Sequence, residues 1–240
     1  MSATLAVWNT AWAAPNSHRG RILAARLRAM RADIICFTEA LVGITPTDGH
    51  TVASDPHYGY RAPAGRRKVL LWSREPWHDV DVVGPDALPG GRFVQASTGT
   101  PLGLMTVVGA CVPWRDAHVR TGRRDRRPWE DHLAFLAELA PRIRALQSQP
   151  TILAGDFNQT VPRTRAPAAA VRALVLALEP LELVTAGPVP GLDRPVIDHV
   201  AVSRHFTALA VRGIPAVHDG VKLSDHPGLV VELSVRQPPA

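Results

Sequence analysis

"KLSDHPGLVVELSV", residues 222–235, sets two titratable side chains, Asp225 and His226, between a serine and a proline at the head of an apolar run. Alone, the stretch reads as a turn entering a strand, because Ser, Asp and Pro are turn formers and Asp bonds its own nearby backbone. It says more once the rest of the chain supplies partners of the same kind. "LAVW" ends in Asn9, and "IICFT" ends in Glu39. "TILAG" ends in Asp156, with Asn158 two positions on, and "VI" runs into Asp198 and His199. Each polar residue alone has an ordinary explanation as a strand end, an Asx turn or a surface carboxylate. Together they put a set of carboxylate, amide and imidazole groups at strand ends, where a rigid sheet can hold reacting groups in place.

The strands that would carry these ends recur along the chain. "TLAVWN" (4–9), "ADIICFTE" (32–39), "KVLLWS" (68–73), "HDVDVV" (78–83), "RFVQAS" (92–97) and "GLMTVVGACV" (103–112) are β-like runs punctuated by Gly and Pro. "TILAGDF" (151–157), "PVIDHVAVS" (195–203), "FTALAVRGI" (206–214) and "LVVELSV" (229–235) continue the series. Three segments have helical character: 20–31, where Ile22, Leu23, Leu27 and Met30 share a face; 128–147, where Leu133, Leu136, Leu139, Ile143 and Leu146 do; and 166–179. Pro141 is expected to kink or break the second of these. Many strands with a few helices point to an α+β domain of packed sheets, and no linker or low-complexity tract divides residues 1–240. A single domain is expected.

Composition narrows the setting. The 240 residues are 46% hydrophobic, enough for a substantial core, and no stretch is apolar for the length a bilayer requires. "MSATLAVWNTAW" lacks the charged and apolar regions of a signal peptide, so a cytoplasmic protein is expected. Cys36 and Cys111 lie far apart in apolar segments and are expected to be buried, reduced thiols; no Cys/His spacing suggests zinc. The formal charge is +6, and 25 of the 27 basic residues are arginine, Lys68 and Lys222 being the exceptions. Positive charge rich in Arg suits phosphate-bearing partners, nucleic acid or a smaller ester. The loop "RDAHVRTGRRDRRPWED" (115–131) concentrates that charge and reads either as a solvated, mobile loop or as an electrostatic lip beside a phosphate site; the first is favoured. Of the tryptophans, Trp8 and Trp72 are expected in the core, and Trp12 and Trp114 are available to stack on a ring.

The residue types fit the needs of phosphate-ester cleavage: charge neutralisation, an oriented water and a stabilised leaving group. Carboxylates such as Glu39 and Asp225 suit a hard cation such as Mg²⁺. An Asp–His pair fixes one imidazole tautomer, and a carboxylate such as Asp156 can align or deprotonate water. "VWN" (7–9), "DIICFTEA" (33–40), "GDFN" (155–158), "IDHVAVS" (197–203) and "SDHPGL" (224–229) occur in that order and span nearly the whole chain. In this the sequence resembles the endonuclease/exonuclease/phosphatase superfamily of the DNase I-like fold, and "RPWEDHLAFLAEL" (127–139) resembles the helix that precedes "GDFN" in its members.

The resemblance implies a four-layer α/β/β/α sandwich of two packed mixed β-sheets flanked by helices. It implies that His226 contacts the scissile phosphate with Asp198 as its partner, and that Asp156 positions or activates the attacking water. Asn158 and Asn9 would hold phosphate or metal-bound water. Glu39 would be the principal metal ligand and Asp225 a second, with Mg²⁺ as the ion and Mn²⁺ able to replace it. The sequence departs from its relatives at "GACVPWRD" (109–116), where Cys111 stands in place of a phosphate-facing His or Tyr and supplies a much weaker donor. Arg115 is the nearest group able to compensate. Thr38 before the glutamate and Ala11 after the asparagine depart from abasic-site endonucleases. The expectation is a Mg²⁺-dependent phosphodiesterase acting on DNA or RNA, with no obligate protein partner. The alternatives are a phosphatase acting on a small metabolite or a lipid headgroup, and a noncatalytic nucleic-acid-binding module that keeps the fold.

Overall fold

The computed structural model describes residues 1–237. In chain order the elements are β1 (Ala3–Asn9), α1 (His18–Ala29), β2 (Ile34–Leu41), β3 (His50–Ala53), β4 (Arg66–Ser73), β5 (Trp77–Asp81), β6 (Phe93–Thr100), β7 (Gly103–Cys111), α2 (Glu130–Ala145), β8 (Thr151–Asp156), α3 (Ala168–Leu178), β9 (Leu181–Leu183), β10 (Asp198–Ser203), β11 (Phe206–Ile214), β12 (Val217–His218), β13 (Val221–Lys222) and β14 (Gly228–Val235). One six-stranded sheet runs β11-β14-β1-β2-β4-β3, a second runs β5-β6-β7-β8-β10-β9, and β12-β13 form a short ribbon. Both large sheets are mixed: β1 and β2 are parallel in the first, and β7 and β8 in the second.

Period-two alternation decides which side of each strand faces which layer. In β1, Leu5 and Val7 point between the sheets, where they meet Val107, Ile152, Ala154, Val200 and Val202 of the second sheet. Ala6 and Trp8, one position out of phase, face α1 and pack with Leu23 and Leu27. On the far side, Phe135, Leu136, Leu139 and Ile143 of α2 and Leu174 of α3 cover Phe93, Val108, Leu153 and Ala201 of the second sheet. Three apolar clusters thus separate four layers, in the α/β/β/α order. Trp8 and Trp72 lie in the core as expected, and Cys36 and Cys111 are buried free thiols.

Local chemistry starts and stops these elements. Ser17 caps α1, its Oγ accepting the Gly20 N–H at 3.0 Å. Glu130 and Asp131 place negative charge in the first turn of α2. Contrary to the expected break, α2 runs unbroken through Pro141. Leu136 and Leu139 before the proline and Ile143 after it bury against one sheet, and that shared face holds the helix together across the lost hydrogen bond. Among the described residues no helix is long and apolar enough to cross a membrane.

Candidate active site

The ends of the central strands converge at one edge of the sandwich. Parallel pairing aligns Asn9, the last residue of β1, with Thr38 of β2. In the other sheet Cys111 at the end of β7 pairs with Asp156 at the end of β8, and antiparallel pairing sets Asp156 opposite Asp198 at the start of β10. Two carboxylates at the ends of adjacent strands are therefore neighbours by register alone. Gly155 permits this: its φ is +139°, and a Cβ there would stand 1.9 Å from the Ala110 carbonyl oxygen.

The strand ends are stitched together. Asn9 accepts the Ala11 N–H at 2.9 Å and donates from Nδ2 to Asp156 at 3.2 Å, across the two sheets. The other oxygen of Asp156 accepts the Asn158 N–H at 2.9 Å. Asn158 sits in the left-handed region with φ +53°, which its short amide tolerates, and its Nδ2 donates to the Val112 carbonyl at 2.8 Å. The segment before β14 is tied to β1 twice. Ser224 donates to the Asn9 carbonyl at 2.6 Å, and Trp8 Nε1 donates to the His226 carbonyl at 3.1 Å. Ser224 Oγ also accepts the His226 N–H at 3.1 Å.

This anchoring delivers His226 to Asp198, with Nδ1 2.5 Å from Oδ2. Burial alone would lower the His226 pKa, but the charge and hydrogen bond of Asp198, with Asp156 and Asp225 behind them, carry it up to about 10. Asp156 moves the other way for a carboxylate. Burial first, then the charge of Asp198, push it up to about 7, while His226 opposes the rise. Asp198 thus favours the charged form of His226, and burial beside a second carboxylate disfavours the charged form of Asp156.

One ligand atom each from Asp156, Asp198 and His226 lies within 4.8 Å of the others. The second oxygen of Asp198, Oδ1, is buried inside this group without a hydrogen-bond partner. An unbonded carboxylate oxygen among further carboxylates suits a hard divalent cation, and the residues present fit one. The imidazole is the exception, because Asp198 keeps it protonated.

The other sequence-predicted residues fall in two groups. Glu39 is on β2 at the same end, in the left-handed region with φ +47°, its carbonyl held by Thr10 and Trp12. Its carboxylate accepts from Lys68 Nζ at 2.6 Å. Asp225 is exposed beside the cluster. Arg115 stands apart, its side chain 63% exposed and paired with its neighbour Asp116 at 3.5 Å. Cys111 is buried in the wall next to Asp156, where desolvation pushes its thiol up to about 12 and leaves it inert.

Two cations at the site carried no motif. Lys68 is 7% exposed, its ammonium 5.2 Å from the centre of the Trp12 ring and 5.3 Å from that of Tyr58. Arg92 is 1% exposed and donates to the Cys111 carbonyl at 3.4 Å, while its Nε and Nη2 have no partner. Composition held a clue to the first: Lys68 is one of only two lysines in an arginine-rich chain. The basic loop is less free than the favoured reading held. Arg123 and Arg126 both bind Asp131 of α2, at 3.3 and 2.7 Å, while Arg120, Arg124 and Arg127 are exposed.

Residues 6–226 match the profile of the Endonuclease/Exonuclease/phosphatase family. No curated protein matches the chain. Among solved structures, a 3′ phosphatase from Neisseria bound to a product DNA hairpin is similar with a TM-score of 0.72 and 17% identity, over 97% of this chain and 99% of that one. An AP endonuclease from Archaeoglobus fulgidus gives 0.68 and 18%, over 95% and 98%. The human Nocturnin catalytic domain with bound sulfate gives 0.69 and 14%, over 98% and 94%. At these identities the likeness is one of fold.

Proposed function

As the chain belongs to the Endonuclease/Exonuclease/phosphatase family, whose profile spans nearly all of it, we propose that it is a Mg²⁺-dependent hydrolase of phosphate esters that cleaves phosphodiesters of DNA or RNA. The family is one of phosphodiesterases, nucleases and phosphatases. The observation that carries the reading is the convergence of Asp156, Asp198 and His226 at the same strand ends, with His226 held by Asp198 and the other Asp198 oxygen buried without a partner.

In this reading Asp156 takes the proton of the attacking water, which its raised pKa allows near pH 7. Asn9 and the Asn158 N–H hold Asp156 in place for that step. His226 uses Nδ1 for Asp198, which leaves Nε2 to donate to a phosphate oxygen as a charge-assisted hydrogen bond. Asn158 adds an amide beside it. Glu39, which lies outside the Asp156–Asp198–His226 cluster, and Asp198 would hold the cation, with Asp225 at its edge, and a hard cation would supply charge neutralisation at the phosphate. Mn²⁺ would replace Mg²⁺ on the same oxygen ligands.

Nucleic acid is favoured over a small metabolite by what flanks the site. Trp114 is 46% exposed two residues beyond Val112, whose carbonyl holds Asn158, and Arg115 follows it. An exposed aromatic ring next to guanidinium groups is a stacking surface for a base, with a cation for its backbone. The test is a hydrolysis panel of single- and double-stranded oligonucleotides, nucleotides, sugar phosphates and inositol phosphates, each with Mg²⁺ or with chelator. Chelator-sensitive cleavage of the oligonucleotides is expected. Turnover undiminished in excess chelator would remove the metal from the mechanism. Turnover confined to the small esters would replace the nuclease with a phosphatase, and no turnover at all would leave a binding module.

A further inference from the structure

Lys68 faces Glu39 across the β2–β4 pair. Thr38 pairs with Val69 and Ala40 with Arg67, so residues 39 and 68 lie between these two registers. The ammonium is 2.6 Å from Glu39 Oε1. It is also a side chain with little freedom to leave: 9% exposed, with the faces of Trp12 and Tyr58 on its other side and Arg66 stacked over the same Trp12 ring at 4.8 Å. Glu39 and the two ring faces take the place of the water that this ammonium gives up. The carboxylate it uses is the one the metal reading needs.

We propose that Lys68 is a built-in cation that shares Glu39 with the divalent ion, holds the ion's affinity down, and gives way to it when a phosphate reaches the site. This rests on the metal-dependent reading above. A divalent ion held by Glu39 would share that carboxylate with the ammonium and be repelled by it. The free protein therefore binds the ion weakly. A phosphate group brings negative charge to both cations and offers Lys68 oxygens in exchange for Glu39. Ion and phosphate then bind with positive coupling, each raising the affinity for the other by one common factor. The ion is recruited with its substrate.

The experiment is Mn²⁺ binding, followed by calorimetry and by electron paramagnetic resonance, with and without inorganic phosphate. The proteins are the full chain and its Lys68→Met and Glu39→Gln variants, each checked for an unchanged melting profile. Methionine keeps an unbranched apolar stem and removes the charge. Lys68→Met is expected to tighten Mn²⁺ binding about tenfold or more, the size of like-charge repulsion at this range even when heavily screened. It is also expected to abolish most of the gain that phosphate gives the wild type. Glu39→Gln is expected to weaken the ion in either background. An affinity for Mn²⁺ that is the same in Lys68→Met and wild type overturns the proposal, and if chelator still stops hydrolysis the metal-dependent reading survives that result. If no variant binds Mn²⁺ and hydrolysis ignores chelator, the proposal and the reading fall together. If Lys68→Met unfolds the protein, Lys68→Gln and the phosphate coupling in wild type decide: the absence of coupling overturns the proposal.

Discussion

His118 and His226 each hold Nδ1 2.5 Å from an aspartate oxygen, His118 to Asp131 and His226 to Asp198. The two pairs are the same chemistry in different surroundings. Asp131 is saturated: Arg126 binds one oxygen, Arg123 and His118 share the other, and the Tyr60 ring stacks on His118 with centroids 4.5 Å apart. Burial alone would raise the Asp131 pKa, but His118 and Arg126 hold it below the usual carboxylate range. Asp198 has one oxygen with no partner, a second carboxylate opposite it, and an imidazole that is 15% exposed. One pair clamps the basic loop to α2, and the other is unfinished in a way that a substrate and a cation can complete. Each pair leaves one buried polar atom without a partner, His118 Nε2 in the first and Asp198 Oδ1 in the second; what sets the second apart is an open carboxylate oxygen beside another carboxylate.

Removing the reactive pair is expected to have the largest effect. His226→Ala or Asp198→Asn should lower kcat of the folded protein by roughly 10²–10⁴-fold, measured on the oligonucleotide that responds in the panel. The double variant with Asp156→Asn should lose far less than the product of the single losses, because the groups act as one unit. If His226→Ala were as active as wild type, the two pairs would be equivalent and the proposed site would be misplaced.

Breaking the structural pair should reverse the pattern. Asp131→Ala strands His118 in the interior and releases Arg123 and Arg126, so stability should fall by about 3 kcal/mol, the lower part of the range for an opened buried ion pair. Chemical denaturation measures that loss, and kcat of the folded fraction should stay within a few-fold of wild type.

A third histidine sharpens the contrast. His132 packs beside this clamp, with Nδ1 on the Pro113 carbonyl and Nε2 on Gln159, and burial lowers its pKa to about 4 despite the Pro113 bond. Its folded pKa is below the ordinary 6.5, so the unfolded chain takes the proton first as pH falls. The stability His132 provides is complete above about pH 6.5 and is lost between there and pH 4. The gap between wild type and His132→Asn should shrink by about 1.4 kcal/mol per pH unit across that window, as read from urea unfolding. A gap independent of pH would mean that the imidazole is not held neutral.

The smallest effect is expected at Arg115. It is exposed and bonded only to its neighbour, so Arg115→Ala should leave kcat and stability unchanged and raise KM a few-fold, less at high salt. A large fall in kcat would show that the loop swings in over the phosphate and does the work that Cys111 cannot.

Much of this was legible in the chain because period-two alternation and strand-end chemistry are local properties. The strands carrying Asn9, Glu39, Asp156 and Asp198 were readable from the residues, and the four layers came from the family resemblance that the ordered motifs carry. The short strands β3, β9, β12 and β13 were not, since two to four residues carry too little pattern to stand apart from loops. At Pro141 the break, one of the two outcomes expected there, does not occur, because a buried face shared by both halves of α2 carries the helix across it.

By itself the sequence determined which side chains can do chemistry and that they end strands, because residue type and alternation travel with the chain. Only the tertiary structure decided what each of them touches. Register set Asp156 against Asp198, cross-sheet packing brought Asn9 to Asp156, and the β2–β4 pairing placed Lys68 on Glu39. The same closure placed two like His–Asp contacts in different surroundings, one clamped by arginines and one beside a second carboxylate. Contacts between residues 28 to 218 positions apart exist only after the sheets close, so no local pattern announces them.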